Sequence, residues 1–592
     1  MNNHPLKERR PSSAPLGFFV ALCAGATFGQ QLLARYPATG WFQDHPFTVT
    51  LDWLFTYGRE QLNRGWSGFS GLPFFDRLAA AADYAWQQSV IAFDLQSALL
   101  YRAAATGAVS LSGMIAATLL FRSMTEPTDA ATHISGRRMW RGYPALKMIR
   151  QVLKHPIRDF GRGILLAPGV AIDRASEVQH VGIIGTSGAG KSTIMRWILT
   201  QVLAHGDKAL VHDTKGDIVA TLPIDSFLLL APQDKRSVAW DVANDVKTAQ
   251  DAREVAARFI KDSHDPMWSL AARDILTGII ISLQRAHPRQ WTWAQLAEQA
   301  FLPAGDLQTI VASCYPPAAR YIELDPETGS PSKTTFSILV TLWAAIVGIV
   351  MPLADAWGQT PPNRRLSLAR WISDDAGKLP KIIILQRSPR HPALSEAWIG
   401  AAIDCLGRYS AGPDLSDSND RRIFLFLDEV AQLKKISISQ LLEVGRSKGI
   451  ACYLGLQDVQ QLIAIYGEAV AKTILGLLGI KIIGRLQAGP SANYVANELV
   501  GQRDVAWTET VRTTSSGSGN GGHSGQSRST QTHRATVPVV TSDILERRLG
   551  VSRSKGVVAL LLGLGDAFEL RWPLTSWPVR RPGTQPADWT RK

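Results

Sequence analysis

The chain has 592 residues, 45% of them hydrophobic and 19% charged, which supplies packed cores for roughly three to five domains and excludes a disordered protein. Lys and Arg number 63 against 50 Asp and Glu, a net charge of +13 that points to an anionic partner, nucleic acid or acidic lipid, without choosing between them. Its four cysteines, Cys23, Cys314, Cys405 and Cys452, contain no C-x-x-C pair, so a disulfide scaffold and a zinc ribbon are excluded; no H-E-x-x-H is present either.

Two uncharged runs open the chain. The first extends from Pro11 to Ala34 with its apolar core at about 16–34. The second extends over about 103–121, between Arg102 and Arg122. Each approaches the ~20 residues that a helix needs to cross a bilayer. Buried core helices, or a signal peptide for the first run, are the alternatives. Charge orients the pair. Residues 122–162 hold nine Lys/Arg against three acids, whereas the intervening 36–101 hold three Arg against six acids. The positive-inside rule then places both termini in the cytoplasm and the loop ~36–101 outside. The expectation is a two-helix membrane anchor over 1–122. Trp41, Trp53, Trp66 and Trp86 of the loop form either an interfacial aromatic belt or a small packed core.

Residues 185–192 read Gly185-Thr186-Ser187-Gly188-Ala189-Gly190-Lys191-Ser192, which is G-x-x-x-x-G-K-[ST]. The apolar run before it reads as a buried parallel strand, and Ser192 to Leu203 have helical apolar spacing. Glycines let the backbone curl so that its N–H groups face phosphates, and the helix N-terminus adds positive potential. Gly185 to Thr193 are therefore the nucleotide-binding stretch. Lys191 bridges the β- and γ-phosphates of ATP and Ser192 holds Mg2+. The next strand, Ala209 to Asp213, leads into Lys215; Asp213 and Lys215 either approach the phosphates or make a plain strand-end turn.

A long insertion follows, because Asp428 lies 237 positions after Lys191. Within ~248–355, the stretches 252–260, 268–283, 293–300 and 336–349 read as helices, so the insertion is expected to be all-α. In the block Arg421-Arg-Ile-Phe-Leu-Phe-Leu-Asp428-Glu429, five apolar residues then form a central strand with the two acids at its C-terminal end. Asp428 is placed to hold the metal through water, and Glu429 to act as general base on the attacking water. The glycine-bounded turn Gly445-Arg446-Ser-Lys-Gly449 leads into a strand ending at Gln457, beside the acidic one, where a polar side chain senses the γ-phosphate. Arg446 is either a solvated turn residue or an arginine reaching a neighbouring subunit's nucleotide. Residues 513–535 are of low complexity and are expected to be a disordered loop. Closing strands are expected at 537–540, 556–562 and 567–570, and 573–592 as a short basic tail.

With these blocks in hand, the chain resembles the type IV coupling proteins of bacterial conjugation, the TraD/TrwB class. The resemblance rests on Val178-Gln-His180 before the phosphate loop, Asp265-Pro-Met-Trp268 with Ala271-Ala-Arg273, and Phe426-Leu-Asp-Glu429. Gly445-Arg446 with Gln457 eleven residues later and Ile465-Tyr-Gly-Glu468 complete it. It implies an α/β fold: a RecA-like, FtsK-like P-loop motor in two parts, 123–247 and 356–572, with the all-α subdomain 248–355 inserted. It further implies a homohexameric ring at the inner membrane whose ATPase activity drives single-stranded DNA, with its relaxase and relaxosome proteins, toward the type IV secretion channel. The family's roles fall on Lys191, Ser192, Asp428, Glu429, Arg446 and Gln457. Some members carry a long acidic C-terminal tail; here it is basic and short, so partner recognition is expected from the helical insertion. The alternative is a coupling ATPase for protein effectors. A chromosome translocase would need a C-terminal DNA reader, for which this tail is too short. A nucleotide-dead scaffold is disfavoured by intact Lys191, Asp428 and Glu429.

Overall fold

The computed structural model describes residues 8–9, 19–27, 51–92, 106–117, 128–129, 131–153, 163–374, 377–515, 525–554 and 556–591. The chain divides into two compact units, one of Met1–Thr132 with Ala506–His533 and one of His133–Val505 with Arg534–Lys592.

In the first unit, the described parts of the two expected spans, 19–27 and Thr106–Ala117, are helical; their remaining residues lie outside the described ones. Between them, helices Leu51–Gly68 and Phe74–Ala92 form a hairpin. Trp66 belongs to its packing: its ring meets Phe74 edge-on at 5.6 Å, and the Arg77 guanidinium lies 4.3 Å above it. Trp41 and the side chains of Trp53 and Trp86 lie outside the described residues. The expectation of a disordered loop over 513–535 needs correction. Strands Gln502–Ser515 and Gly525–Pro538 are neighbours in one sheet and take in both ends of that segment, leaving 516–524 outside the described residues. Thr, Val and Trp recur through Val505–Thr513, a β-favouring composition that outweighs the Ser and Gly beyond it.

The second unit is built on one large sheet. Its strands are β1 (Met139–Arg141), β2 (Val181–Ile184), β3 (Lys208–Asp213), β4 (Leu228–Leu230), β5 (Ile382–Gln386), β6 (Ile423–Leu427), β7 (Ile450–Leu456), β8 (Ile480–Ile483), β9 (Gly556–Leu564) and β10 (Asp566–Trp572). They lie in the order β1-β10-β9-β8-β2-β7-β6-β3-β5-β4, and a short strand, Gly550–Ser552, pairs with β9. From β8 to β4 every neighbouring pair is parallel. Parallel strands covered on both faces read as continuous apolar runs, and β2, β3, β5, β6 and β7 are buried throughout. Alternate residues supply two cores: Leu210 faces one, Ala209 and Val211 the other.

The insertion is helical, as expected: Ala249–Phe259, Pro266–Ala286, Trp293–Ala300, Ala304–Cys314 and Lys333–Ala345, the last continuing through a wide turn at Ile346–Val350 into Met351–Trp357. Local sequence starts each one. Thr248 with Asp251, and Thr292 with Gln295, form reciprocal capping boxes, and Ser332 caps with Thr335 N–H. The Asp265-Pro-Met motif is a helix start: Asp265 accepts from Met267 N–H at 3.0 Å, and Pro266 sits where its missing N–H costs nothing. Pro266–Ala286 and Lys333–Trp357 are long and apolar enough to cross a bilayer, yet one face of each is packed in the larger core.

The stretch after β10, expected as a basic tail, is instead a strap bound along the motor. Trp577 Nε1 donates to Thr200 Oγ1 at 3.2 Å; Arg581 pairs with Asp225 and donates to Ile224 O at 2.9 Å. Gln386 Nε2, at the end of β5, donates to Gly583 O at 2.8 Å, and Trp589 Nε1 donates to Pro232 O at 2.7 Å. Asp234 is buried; it accepts from Gln585 N–H at 2.8 Å and from Arg236 Nη2 at 2.6 Å, while Arg236 Nη1 donates to Pro582 O at 2.9 Å. Much of the strap's arginine charge is thus already partnered. Its Pro/Arg-rich composition gives no sign of this, because the partners lie 197 to 377 positions upstream. Asp234→Ala leaves Arg236 unpaired and unlatches the strap. It should destabilise the unit by about 3 kcal/mol and make 573–591 the first site of limited proteolysis. A variant as protease-resistant as the unaltered protein would contradict the latch.

Candidate active site

The parallel strands end at a common edge, where open α/β sheets bind ligands. β2 delivers the glycine loop there, and both flanks pin it: Gly185 N–H donates to Leu456 O and Thr186 N–H to Arg485 O, each at 2.9 Å. Gly190 has φ +97°, and a Cβ there would lie 2.5 Å from Val557 Cγ1, so only glycine fits. Helix Lys191–His205 starts at the next residue, aiming its N-terminus along the edge. Ser187 and Gly188 are exposed at the crest of the loop, and Thr193 lies in the helix's first turn.

Lys191 is buried, and its Nζ donates to Gly185 O at 2.6 Å and Thr186 O at 3.2 Å. Burial pushes its ammonium below the ordinary lysine value, against the pull of Glu429 and Asp428. Ser192 Oγ donates to Asp428 Oδ1 at 3.1 Å, so a residue 236 positions away joins the first turn of the loop's helix. The approach of β7 to Asp428 depends on Gly455, where a Cβ would lie 1.8 Å from Asp428 O. Burial raises the Asp428 carboxyl, while the Ser192 hydrogen bond and Lys191 draw it back. Glu429 is 5% exposed. Burial pushes it up to about 7, opposed by the Lys191 ammonium and by the neighbouring Gln457 amide. Its Oε1 is buried with no hydrogen-bond partner among the described residues. That unpartnered buried acceptor is left for a water. The donor set fits a nucleotide with Mg2+: an ammonium, a hydroxyl–carboxylate pair and a buried base converge on one helix N-terminus.

Lys191, Ser192, Asp428, Glu429 and Gln457 are therefore together. Arg446 is not with them. Its exposed turn precedes β7, whereas Gln457 follows it, so the two lie at opposite edges of the sheet, roughly 20 Å apart along the strand. Within one chain Arg446 does not reach this site. The motif residue His180 braces that turn: Nε2 lies 2.9 Å from Leu442 O, and Nδ1 accepts from Cys452 N–H at 3.1 Å. Burial holds its pKa down at about 4, so the imidazole stays neutral. Asp213 takes the structural role. Its carboxylate accepts the N–H groups of Gly216 at 2.8 Å and Val219 at 2.9 Å and so builds the turn after β3. Lys215 is exposed and lies close enough to bear electrostatically on Lys191 and Asp428. Tyr466, from the Ile-Tyr-Gly-Glu block, accepts from Ile436 N–H at 3.1 Å and steadies the loop after the acidic pair.

A family model for the type IV secretion-system coupling protein DNA-binding domain matches residues 164–571. Coupling protein TraD of Escherichia coli (strain K12) is 26% identical over 339 residues, 55% of this chain but only 44% of that protein. Among solved structures, the conjugative coupling protein TrwBdeltaN70, unbound, gives a TM-score of 0.61 at 18% identity, covering 78% of this chain and 97% of that one. TrwB in complex with ADP and Mg2+ gives 0.60 at 17% identity, covering 77% and 97%. At these identities the likeness to the solved structures is one of fold.

Proposed function

The chain belongs to the type IV secretion-system coupling proteins, and from that premise we propose that it is an inner-membrane ATPase that pumps single-stranded DNA toward a secretion channel. The observation that carries the reading is the convergence at one sheet edge of Lys191, the Ser192–Asp428 pair at 3.1 Å, and buried Glu429 beside Gln457. ATP and Mg2+ are the cofactors, a reading supported by the ADP–Mg2+ complex of TrwB. The metal, when bound, neutralises charge between the β- and γ-phosphates. Around it, Gly185 to Thr193 cradle the phosphates, Lys191 moves from its carbonyls to the β/γ oxygens, and Ser192 and Asp428 hold the metal. Glu429 takes the proton of the attacking water, and Gln457 orients that base and reports the terminal phosphate.

Arg446, at the far edge of its own sheet, serves the nucleotide of the next subunit in a homohexameric ring. The two N-terminal spans anchor the ring with both termini in the cytoplasm. Its partners are the relaxase with its relaxosome and the channel components, met through the helical insertion; the motor takes in the strap, whereas Ala506–His533 belongs to the other compact unit. The test is the ATPase rate of the full chain in detergent, with and without single-stranded DNA, across protein concentration. Stimulation by DNA that steepens with concentration supports the reading. A rate indifferent to DNA replaces it with a coupling ATPase for protein effectors. In the same assay Arg446→Ala should lower kcat at least a hundredfold and abolish the concentration dependence, with nucleotide affinity unchanged. Normal hydrolysis by that variant removes the trans role.

A further inference from the structure

One strand reaches the phosphate loop from a side that none of the sequence motifs occupies. β8 runs parallel to β2 with Ile483 opposite Ile184. The two chains stay together past the sheet edge: Gly484 N–H donates to Ile184 O at 2.7 Å, and Thr186 N–H to Arg485 O at 2.9 Å. Thr186 Oγ1 donates to the same Arg485 carbonyl at 3.1 Å. The Arg485 backbone is thereby fixed to the loop itself. Its side chain stands beside the crest, because a Cβ built on Gly188 would lie 4.0 Å from Arg485 Nη2. The stem passes over Gly550, where φ is +108° and a Cβ would come within 3.0 Å of Arg485 Cβ. Arg485 is exposed, and no carboxylate among the described residues pairs with it.

The strand order gives this arginine a direction. β7 and β6, carrying Gln457, Asp428 and Glu429, flank β2 on one side, and β8 flanks it on the other. A phosphate chain whose terminal phosphate faces the acidic pair turns its nucleoside-proximal end toward β8. We propose that Arg485 is a further nucleotide-binding residue, which grips the nucleoside-proximal phosphates from the flank opposite Asp428 and Glu429. A guanidinium suits the task, since its planar fork binds two phosphate oxygens at once and never loses its charge. The inference rests on the ATP-site reading above. It assigns Arg485 a contact common to ATP and ADP, unlike the γ-phosphate roles of Glu429 and Gln457.

The test is direct binding of ADP and of a non-hydrolysable ATP analogue to the full chain in detergent, for the unaltered protein, Arg485→Ala and Arg485→Lys. Arg485→Ala should weaken both nucleotides alike, by roughly tenfold or more, as expected for a lost hydrogen bond to a charged group. The loss should appear in KM rather than kcat, because the contact is made equally in ground and transition states. Arg485→Lys should recover part of the affinity, and the unliganded melting temperature should not move. Unchanged affinity in Arg485→Ala, a loss confined to the ATP analogue, or a loss that tracks a lower unliganded melting temperature would each overturn the proposal. Failure of the unaltered chain to bind either nucleotide would instead remove the ATP-site reading, and it would show before any substitution is made.

Discussion

Lys191→Ala should leave a folded protein whose ATPase rate is lower by a factor of about 100 to 1,000 and which no longer supports DNA transfer. The ammonium is placed at the root of the glycine loop, and its Nζ already lies within 2.6 Å of a loop carbonyl. Nothing in the first turn of the following helix can replace it, since Ser192 is engaged with Asp428. Folding should survive because two effects oppose. The variant loses two hydrogen bonds to carbonyls, and it is relieved of a buried ammonium whose charged form burial already disfavours. Circular dichroism and the melting profile check the fold, and single-turnover hydrolysis checks the chemistry. Hydrolysis near the unaltered rate would end the motor reading.

Glu429→Gln should bind ATP and not turn it over, with kcat down by a factor on the order of 100 to 10,000. A glutamine keeps the shape and the contact with Gln457 but cannot accept the water's proton. The same residue sets a pH limb. Its carboxyl is pushed up to about 7 by burial, so in the free protein the ionised base grows as pH rises through 7, and kcat/KM should rise with it. The variant should lack that limb. Stability runs the other way. The folded-state pKa lies above the ordinary glutamate value, so ionisation favours the unfolded chain. This cost is absent below about 4.5 and fully present above about 7. Glu429→Gln should therefore melt higher than the unaltered protein at pH 8 and no higher at pH 4. A pH profile unaltered by the substitution would assign the base to another group.

Local patterns carried far in this chain, and the reasons are visible at particular residues. The glycine loop, the acidic strand end and the insertion's helices are written in contiguous stretches: a five-residue apolar run for β6, and Thr248, Asp265, Thr292 and Ser332 as side-chain caps. Motifs that mark the family but carry no chemistry also became legible once placed. His180 bridges β7 to the helix before Arg446, and Tyr466 holds the loop after Glu429. The strap was missed because every group that holds it, from Thr200 to Asp234 and Gln386, belongs to another part of the sequence. The Ser/Gly content of 513–535 conceals the strands at both its ends, the first of which starts upstream in the β-favouring run Val505–Thr513.

The sequence by itself determined the glycine loop, the acidic pair, the helices of the insertion and the family, since each is written as residue spacing within short contiguous segments. Which residues share an edge was decided only by the tertiary structure, because strand order is fixed by pairings between distant segments. Those pairings set Gln457 against Glu429, turned Asp213 into its own loop, and left Arg446 a strand's length from the site its motif suggests. They also carried β8 to the open flank of the phosphate loop, where Arg485 stands beside the glycine crest.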